Sequence, residues 1–303
     1  MYYLGLDVGS SSVKAALVEA KSGKSIQSVH EPNNEMSISS LKNDWAEQDP
    51  NVWWKYTCTA IKRVCKESNI DPKKIISIGI SYQMHGLVIV DKNGEPLRDS
   101  IIWCDSRAVN IGNDAYEKLG EDKCMSHLLN SPGNFTASKL KWVKENEPEV
   151  YEKIYKYMLP GDFIAYKLTG EINTTRNGLS EGIIWDYKNN EIANWLLDFY
   201  GINPNLTPDL VDNFTNQGAT NSKSSEETGL NIGIPITYRA GDQPNNALAL
   251  NVFDNGEVAA SGGTSGVIYS ITNNINSKEP SRINHFAHVN YEDNNKSIGK
   301  LLC

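Results

Sequence analysis

The sequence predicts an α/β protein. β-rich runs alternate with segments of helical apolar spacing, the breaks between them fall at glycine, proline and Asp-Pro, and no repeat of solenoid period occurs. The 303 residues are 39% hydrophobic and 22% charged with a net charge of -8, which excludes wholesale disorder, collagen and a disulfide mini-scaffold. Length alone predicts about two domains of roughly 150 residues. The acidic balance argues against a nucleic-acid partner, which needs a basic face, but not against a small phosphate ligand held by local N–H groups.

The opening reads as a three-stranded meander: Tyr2 to Val8, then Val13 to Ala20 after the break Gly9-Ser10-Ser11-Ser12, then Ser25 to His30 after the turn Lys21-Ser22-Gly23-Lys24. Asp49-Pro50 signals a helix start, and Trp53, Ala60, Ile61 and Val64 recur behind it at a spacing that packs on a sheet. Asp71-Pro72 closes that helix, and Ile75 to Ser81 reads as a buried strand. Leu87 to Val90 turns at Asp91-Lys92-Asn93-Gly94 and returns as Ser100 to Trp103. Helices are expected over Thr136 to Asn146, Glu149 to Tyr157, Asp162 to Leu168 and Glu191 to Tyr200, the last closed by Gly201. Leu206 to Asn231 is polar and weakly patterned, hence loop. Pro235 to Ala240 reads as a strand, Gln243 to Asn251 as a helix, and Glu257 to Ser261 with Val267 to Ile271 as two strands around a glycine turn.

Cys58, Cys65, Cys104, Cys124 and Cys303 are odd in number and lack two-residue spacing, so buried thiols of a reducing cytoplasm are expected. The start has no basic region and meets Asp7 at once, unlike a signal peptide, and no apolar stretch approaches the length of a membrane span.

Five segments carry chemistry. In Asp7-Val8-Gly9-Ser10-Ser11-Ser12-Val13-Lys14 an acid ends a strand before a turn of glycine and serines. Small residues let backbone N–H groups approach an anion, and Asp7 can share a Mg²⁺ with phosphate oxygens, although capping an ordinary hairpin fits it as well. Ser261-Gly262-Gly263-Thr264-Ser265-Gly266 is a second such tip, which could face the first across a polyphosphate. Asp242 follows Gly241 where a strand meets a helix, so it either caps the helix or takes the proton of an attacking hydroxyl. Gln83-Met84-His85-Gly86 and Trp103-Cys104-Asp105-Ser106-Arg107, each after a strand, suit hydrogen bonding to a polyol, while a core histidine and a capping Asp105 are the plainer readings. His285 and His288 have no third partner for a metal and are read as structural.

In order along the chain, Asp7 with its glycine-hydroxyl hairpin, Trp45-Ala46-Glu47-Gln48-Asp49-Pro50, Gln83-Met84-His85-Gly86, Trp103-x-Asp105-x-Arg107, Phe135-Thr136-Ala137-Ser138-Lys139-Leu140-Lys141-Trp142-Val143, Leu159-Pro160-Gly161-Asp162, Gly241-Asp242 and Gly262-Gly263-Thr264-Ser265-Gly266 resemble the FGGY carbohydrate kinases of the actin–hexokinase superfamily. Gln-Met-His-Gly resembles the xylulose kinase branch. The resemblance implies a ribonuclease-H-like domain, a mixed sheet flanked by helices, spanning 1–253, with 254–303 as opening strands of a C-terminal nucleotide-binding domain. It implies ATP and Mg²⁺ as cofactors and phosphorylation of D-xylulose to D-xylulose 5-phosphate, with Asp242 as base and Asp7 organising Mg²⁺. Gln83, Met84, His85, Trp103, Asp105, Arg107 and Asn245 would contact the sugar. Gly9, Ser10, Ser11, Ser12, Lys14, Gly263 and Thr264 would line the phosphate path. A homodimer in the cytoplasm, with no nucleic-acid or membrane partner, completes the expectation. The alternatives are another polyol kinase of the family (ribulose, gluconate, glycerol) or a non-catalytic sugar-binding module, and this chain by itself is expected to be nearly inactive.

Overall fold

A computed structural model describes residues 1–262, 266–275, 279 and 282–302. The meander forms as the alternation requires: β1 (Tyr2–Val8), β2 (Val13–Glu19) and β3 (Ser25–Glu31) pair antiparallel, with Leu4, Leu6, Val13, Ala15 and Leu17 turned to one buried face. α1 (Pro50–Ser68) starts at the Asp49 cap, whose carboxylate accepts from the Asn51 N–H. It lays Trp53, Ala60, Ile61 and Val64, all fully buried, against that sheet. The chain then returns through β4 (Ile75–Tyr82), parallel to β1, and much later through β5 (Ile236–Gly241), parallel to β4. The sheet order is therefore β5-β4-β1-β2-β3, a mixed sheet.

A second core gathers Met84, Leu140, Val143, Leu179, Trp185, Phe286 and Ile298. Helix α2 (Thr136–Asn146) has the expected bounds, and α3 (Pro160–Thr169) and α4 (Arg176–Glu181) follow. Helix α5 (Asp242–Ala249) leaves β5 directly. β6 (Val258–Gly262), β7 (Gly266–Thr272), β8 (Asn284–Ala287) and β9 (Ile298–Leu302) form an antiparallel sheet in the order β6-β7-β9-β8 that shares this second core.

Local pattern fails in three places, each overridden by long-range pairing or capping. The helix expected over Glu149 to Tyr157 is a single turn, Pro148–Tyr151, because Lys156–Met158 is drawn into antiparallel pairing with Val88–Val90. Glu191–Ile192 pairs with Trp185–Asp186, so the next helix begins only at Asn194. The polar stretch read as loop contains a helix, Ser222–Thr228, between an Asn221 cap and a left-handed Gly229, and Asp209–Val211 pairs with Asn173–Thr175. Cys58, Cys65 and Cys124 are wholly or partly buried, whereas Cys104 is exposed, contrary to expectation. Cys303 lies outside the described residues.

Candidate active site

Three parallel strands end side by side. In register, Asp7 of β1 and Ala240 of β5 both face Ser81 of β4, and the Gln83 N–H bonds the Val8 carbonyl at 2.9 Å. Asp7, the segment Gln83-Met84-His85 and Asp242 thus leave the carboxyl ends of neighbouring strands together, the position where α/β sheets bind ligands. The approach is close. A Cβ on Gly241 would lie 2.5 Å from Met84 Cγ and 2.8 Å from Glu181 Oε2, so any side chain before Asp242 would force Met84 and Glu181 to shift.

These strand ends open on a cleft of about 690 Å³. Of the residues singled out from sequence, Asp7, Gly9, Ser10, Ser11, Ser12, Lys14, Gln83, Met84, His85, Trp103, Asp242 and Asn245 all line it. Ser81, Gln243, Asn246, Val267 and Leu301, to which the sequence assigns no role, also line it. Ser81, Gln243, Asn246 and Val267 belong to the same strand-end segments as the residues singled out, and Leu301 alone carries no motif. Gly263 and Thr264 lie outside the described residues.

The hairpin tip is held open by its own bonds: Gly9 N–H to the Ser12 carbonyl at 3.0 Å, Gln48 Nε2 to the Ser10 carbonyl at 2.7 Å, and Trp103 Nε1 to Ser10 Oγ at 3.3 Å. Lys14 Nζ pairs with Asp7 Oδ2 at 3.0 Å across an exposed surface. Trp103 presents a face that is 54% exposed. Gln83 is only 4% exposed, and its side-chain amide has no hydrogen-bond partner among the described residues. A buried amide left so at a cleft wall is a group waiting for a polar ligand.

Asp242 is the first residue of α5 rather than its cap: the N-cap position is Gly241, and no side-chain cap bond forms there. Burial, and secondarily the Asp7 carboxylate, push its carboxyl up to about 6, against smaller opposing bonds from Gln243 and its own backbone. Burial drives the His85 imidazole down to about 3, so it is neutral; its Nδ1 lies 2.9 Å from the Glu181 carbonyl oxygen. His85 adopts φ 62°, a left-handed conformation that non-glycine residues seldom take. His285 and His288 are buried and pushed down to about 4, and no group of three metal-ligating side chains occurs among the described residues.

Asp105 and Arg107 require correction. Their side chains are 0% and 1% exposed, so neither offers surface to a sugar. Arg107 pairs with Asp105 at 2.7 Å and with Glu47 at 2.7 Å, and its guanidinium lies 3.7 Å from the Trp45 ring centre. Asp105 also accepts from the Ala46 N–H at 2.6 Å. The pair ties the loop after Trp103 to the loop before α1, which is a structural task.

A five-stranded mixed sheet in this order, with an antiparallel meander and carboxylates at the ends of two parallel strands, is the ribonuclease-H-like fold of the actin–hexokinase superfamily. Residues 2–249 match the FGGY family of carbohydrate kinases, N-terminal domain, and the chain belongs to that family. It is 30% identical over 288 residues to a xylulose kinase of Staphylococcus xylosus, covering 95% of this chain and 58% of that protein. It is 31% identical over 274 residues to a xylulose kinase of Bacillus subtilis (strain 168), covering 89% of this chain and 53% of that protein. A solved xyloylose kinase from Brucella ovis superposes with a TM-score of 0.87 at 27% identity, covering 99% of this chain and 59% of that one. The chain thus spans a little over half the length of the relatives it matches.

Proposed function

We propose that the chain is the sugar-binding, base-bearing portion of an ATP-dependent kinase that phosphorylates D-xylulose to D-xylulose 5-phosphate. One observation carries the reading: Asp242, held near pH 6, shares a cleft with the unpaired amide of Gln83 and with Met84, neutral His85 and Asn245. A carboxylate of that basicity is matched to proton removal near neutral pH. Relatives similar along nearly the whole of this chain are xylulose kinases, which supports the ketose as substrate.

In this mechanism Gln83, His85 and Asn245 orient the sugar, Trp103 supplies a flat apolar face, and Asp242 takes the proton of the terminal hydroxyl as the hydroxyl oxygen attacks the γ-phosphorus of ATP, whose bond to the β,γ-bridging oxygen breaks so that ADP leaves. The Gly9–Ser12 tip offers backbone N–H groups and hydroxyls to phosphate oxygens. Two like-charged carboxylates on one cleft favour a cation, and oxygen donors with few protein ligands suit Mg²⁺. Asp7 would hold it, and bound Mg²⁺ neutralises charge on the transferring phosphoryl group. Positioning contributes up to ~7–11 kcal/mol of barrier reduction, more than the roughly 10²–10⁴-fold of one general base. We also propose 1–253 as the domain carrying most of this site and 254–303, which adds Val267 and Leu301 to the cleft, as the start of a nucleotide-binding domain. A cytoplasmic setting is part of the same reading. Among the described residues no helix is long and apolar enough to cross a membrane.

The test is a coupled phosphorylation assay with Mg-ATP and a panel of D-xylulose, ribulose, gluconate and glycerol, run on the enzyme that carries this chain. Preference for D-xylulose is expected; preference for another member reassigns the substrate. Sugar binding with no turnover of any member would make the chain a binding module.

A further inference from the structure

Helix α2 places a lysine on its buried side, among Ala137, Leu140 and Val143, where an apolar residue is the rule. Lys139 is 0% exposed, and its Nζ donates to two carbonyl oxygens from different loops: His85 at 2.8 Å and Ile102 at 2.9 Å. The first loop carries Gln83, Met84 and His85, and the second carries Trp103 one residue on, all lining the cleft. We infer that Lys139 is a positioning residue for the sugar side of the cleft, its Nζ joining the His85 and Ile102 carbonyls and so fixing the backbone that presents His85 and Trp103.

Three observations beyond the two bonds support this. His85 sits at φ 62°, a conformation that persists only when its surroundings over-determine it. The Lys139 bond is one of those constraints, alongside Thr136 Oγ1 to the Gly86 carbonyl at 3.4 Å, the nearly perpendicular Phe135 ring with its centre 4.8 Å from that of the imidazole, and the Glu181 carbonyl. The Ile102 carbonyl also accepts the Asp105 N–H at 3.2 Å, and the Ile102 N–H donates to Ala46 at 3.1 Å, so the second loop is anchored where Lys139 grips it. Finally, burial drives the Lys139 ammonium down to about 7 despite the nearby Asp105 carboxylate, a cost that an apolar side chain of the same length would avoid. A donor retained here despite that cost serves the two carbonyls. The sugar part of the inference rests on the function proposed above; the clamp itself does not.

Lys139→Met keeps the stem and removes the donor. The experiment is NMR titration of the histidine rings, together with calorimetric titration of D-xylulose, on the 303-residue chain and its variant. The wild-type His85 ring is expected to stay neutral down to about pH 3. In the folded variant it should titrate about a unit or more higher, and D-xylulose should bind at least ~10-fold more weakly, a difference of about 1.4 kcal/mol. An affinity for D-xylulose within about two-fold of wild type in the folded variant would overturn the inference, whatever the ring titration does, since loss of the Lys139 charge raises His85 by itself. Where the wild-type chain binds no xylulose the sugar reading is overturned, and the clamp stands or falls on the hydrogen bonds from Nζ themselves, because loss of the Lys139 charge already raises the His85 titration. If Lys139→Met does not fold, the wild-type chain still decides. Through-hydrogen-bond coupling from Nζ to the His85 and Ile102 carbonyl carbons is expected, and its absence overturns the clamp.

Discussion

Asp242→Asn should stabilise the folded chain while removing the proposed base. The carboxyl rises from 3.8 to about 6 on folding because it is buried and faces Asp7. Between those values the folded state binds more protons than the unfolded chain, so this group makes stability fall as pH rises, and its full cost is present above about pH 6. Two units at ~1.36 kcal/mol each set a ceiling of ~3 kcal/mol. Residual solvent access reduces that to about 1–2 kcal/mol, worth roughly 2–6 °C in Tm for a chain of this size. Asparagine is nearly isosteric and keeps an oxygen for the Gln243 Nε2, which lies 3.3 Å from Asp242 Oδ2. The assay is thermal unfolding of both proteins at pH 4 and pH 8. The Asn variant should melt higher at pH 8 and equal to wild type at pH 4. An Asn variant no more stable than wild type at pH 8 would refute a buried, repelled carboxylate at this position.

In the enzyme that carries this chain, kcat/KM for the sugar should fall about tenfold per pH unit below about 6, where Asp242 takes up a proton, read from a pH–rate profile between 5 and 8. Gly241→Ala would drive a methyl into Met84 and Glu181, costing ~1–3 kcal/mol in urea unfolding and weakening sugar binding together. Asp105→Ala should destabilise by about 1–3 kcal/mol, because it leaves the buried Arg107 guanidinium with Glu47 alone among its carboxylate partners and the Ala46 N–H without its acceptor. Calorimetry should show that any folded Asp105→Ala protein loses sugar affinity only indirectly, through movement of Trp103.

Much of the site was legible because it sits where local pattern speaks loudest. Asp7 and Asp242 stand at strand ends marked by glycine, and the meander, α1 and α2 follow from alternation, caps and apolar spacing. What was hidden depends on tertiary burial. Trp103-x-Asp105-x-Arg107 reads identically whether its acid and cation meet a sugar or each other, and the structure turns them inward onto Glu47 and Trp45. Lys156–Met158 looked helical because its strand partner, Val88–Val90, lies far away in sequence. Lys139 did leave a signal, a cation among apolar neighbours on one helix face, but which carbonyls it serves is set by two loops that meet only in the fold.

The most direct test of the central claim is calorimetric titration of D-xylulose, ribulose, gluconate and glycerol into the 303-residue chain and its Asp242→Asn variant. Saturable, one-to-one binding that prefers D-xylulose and survives the substitution is expected, since the amide and imidazole groups orient the sugar and Asp242 acts on its proton. No saturable sugar binding, or equal affinity for glycerol, would contradict a ketose site at these strand ends.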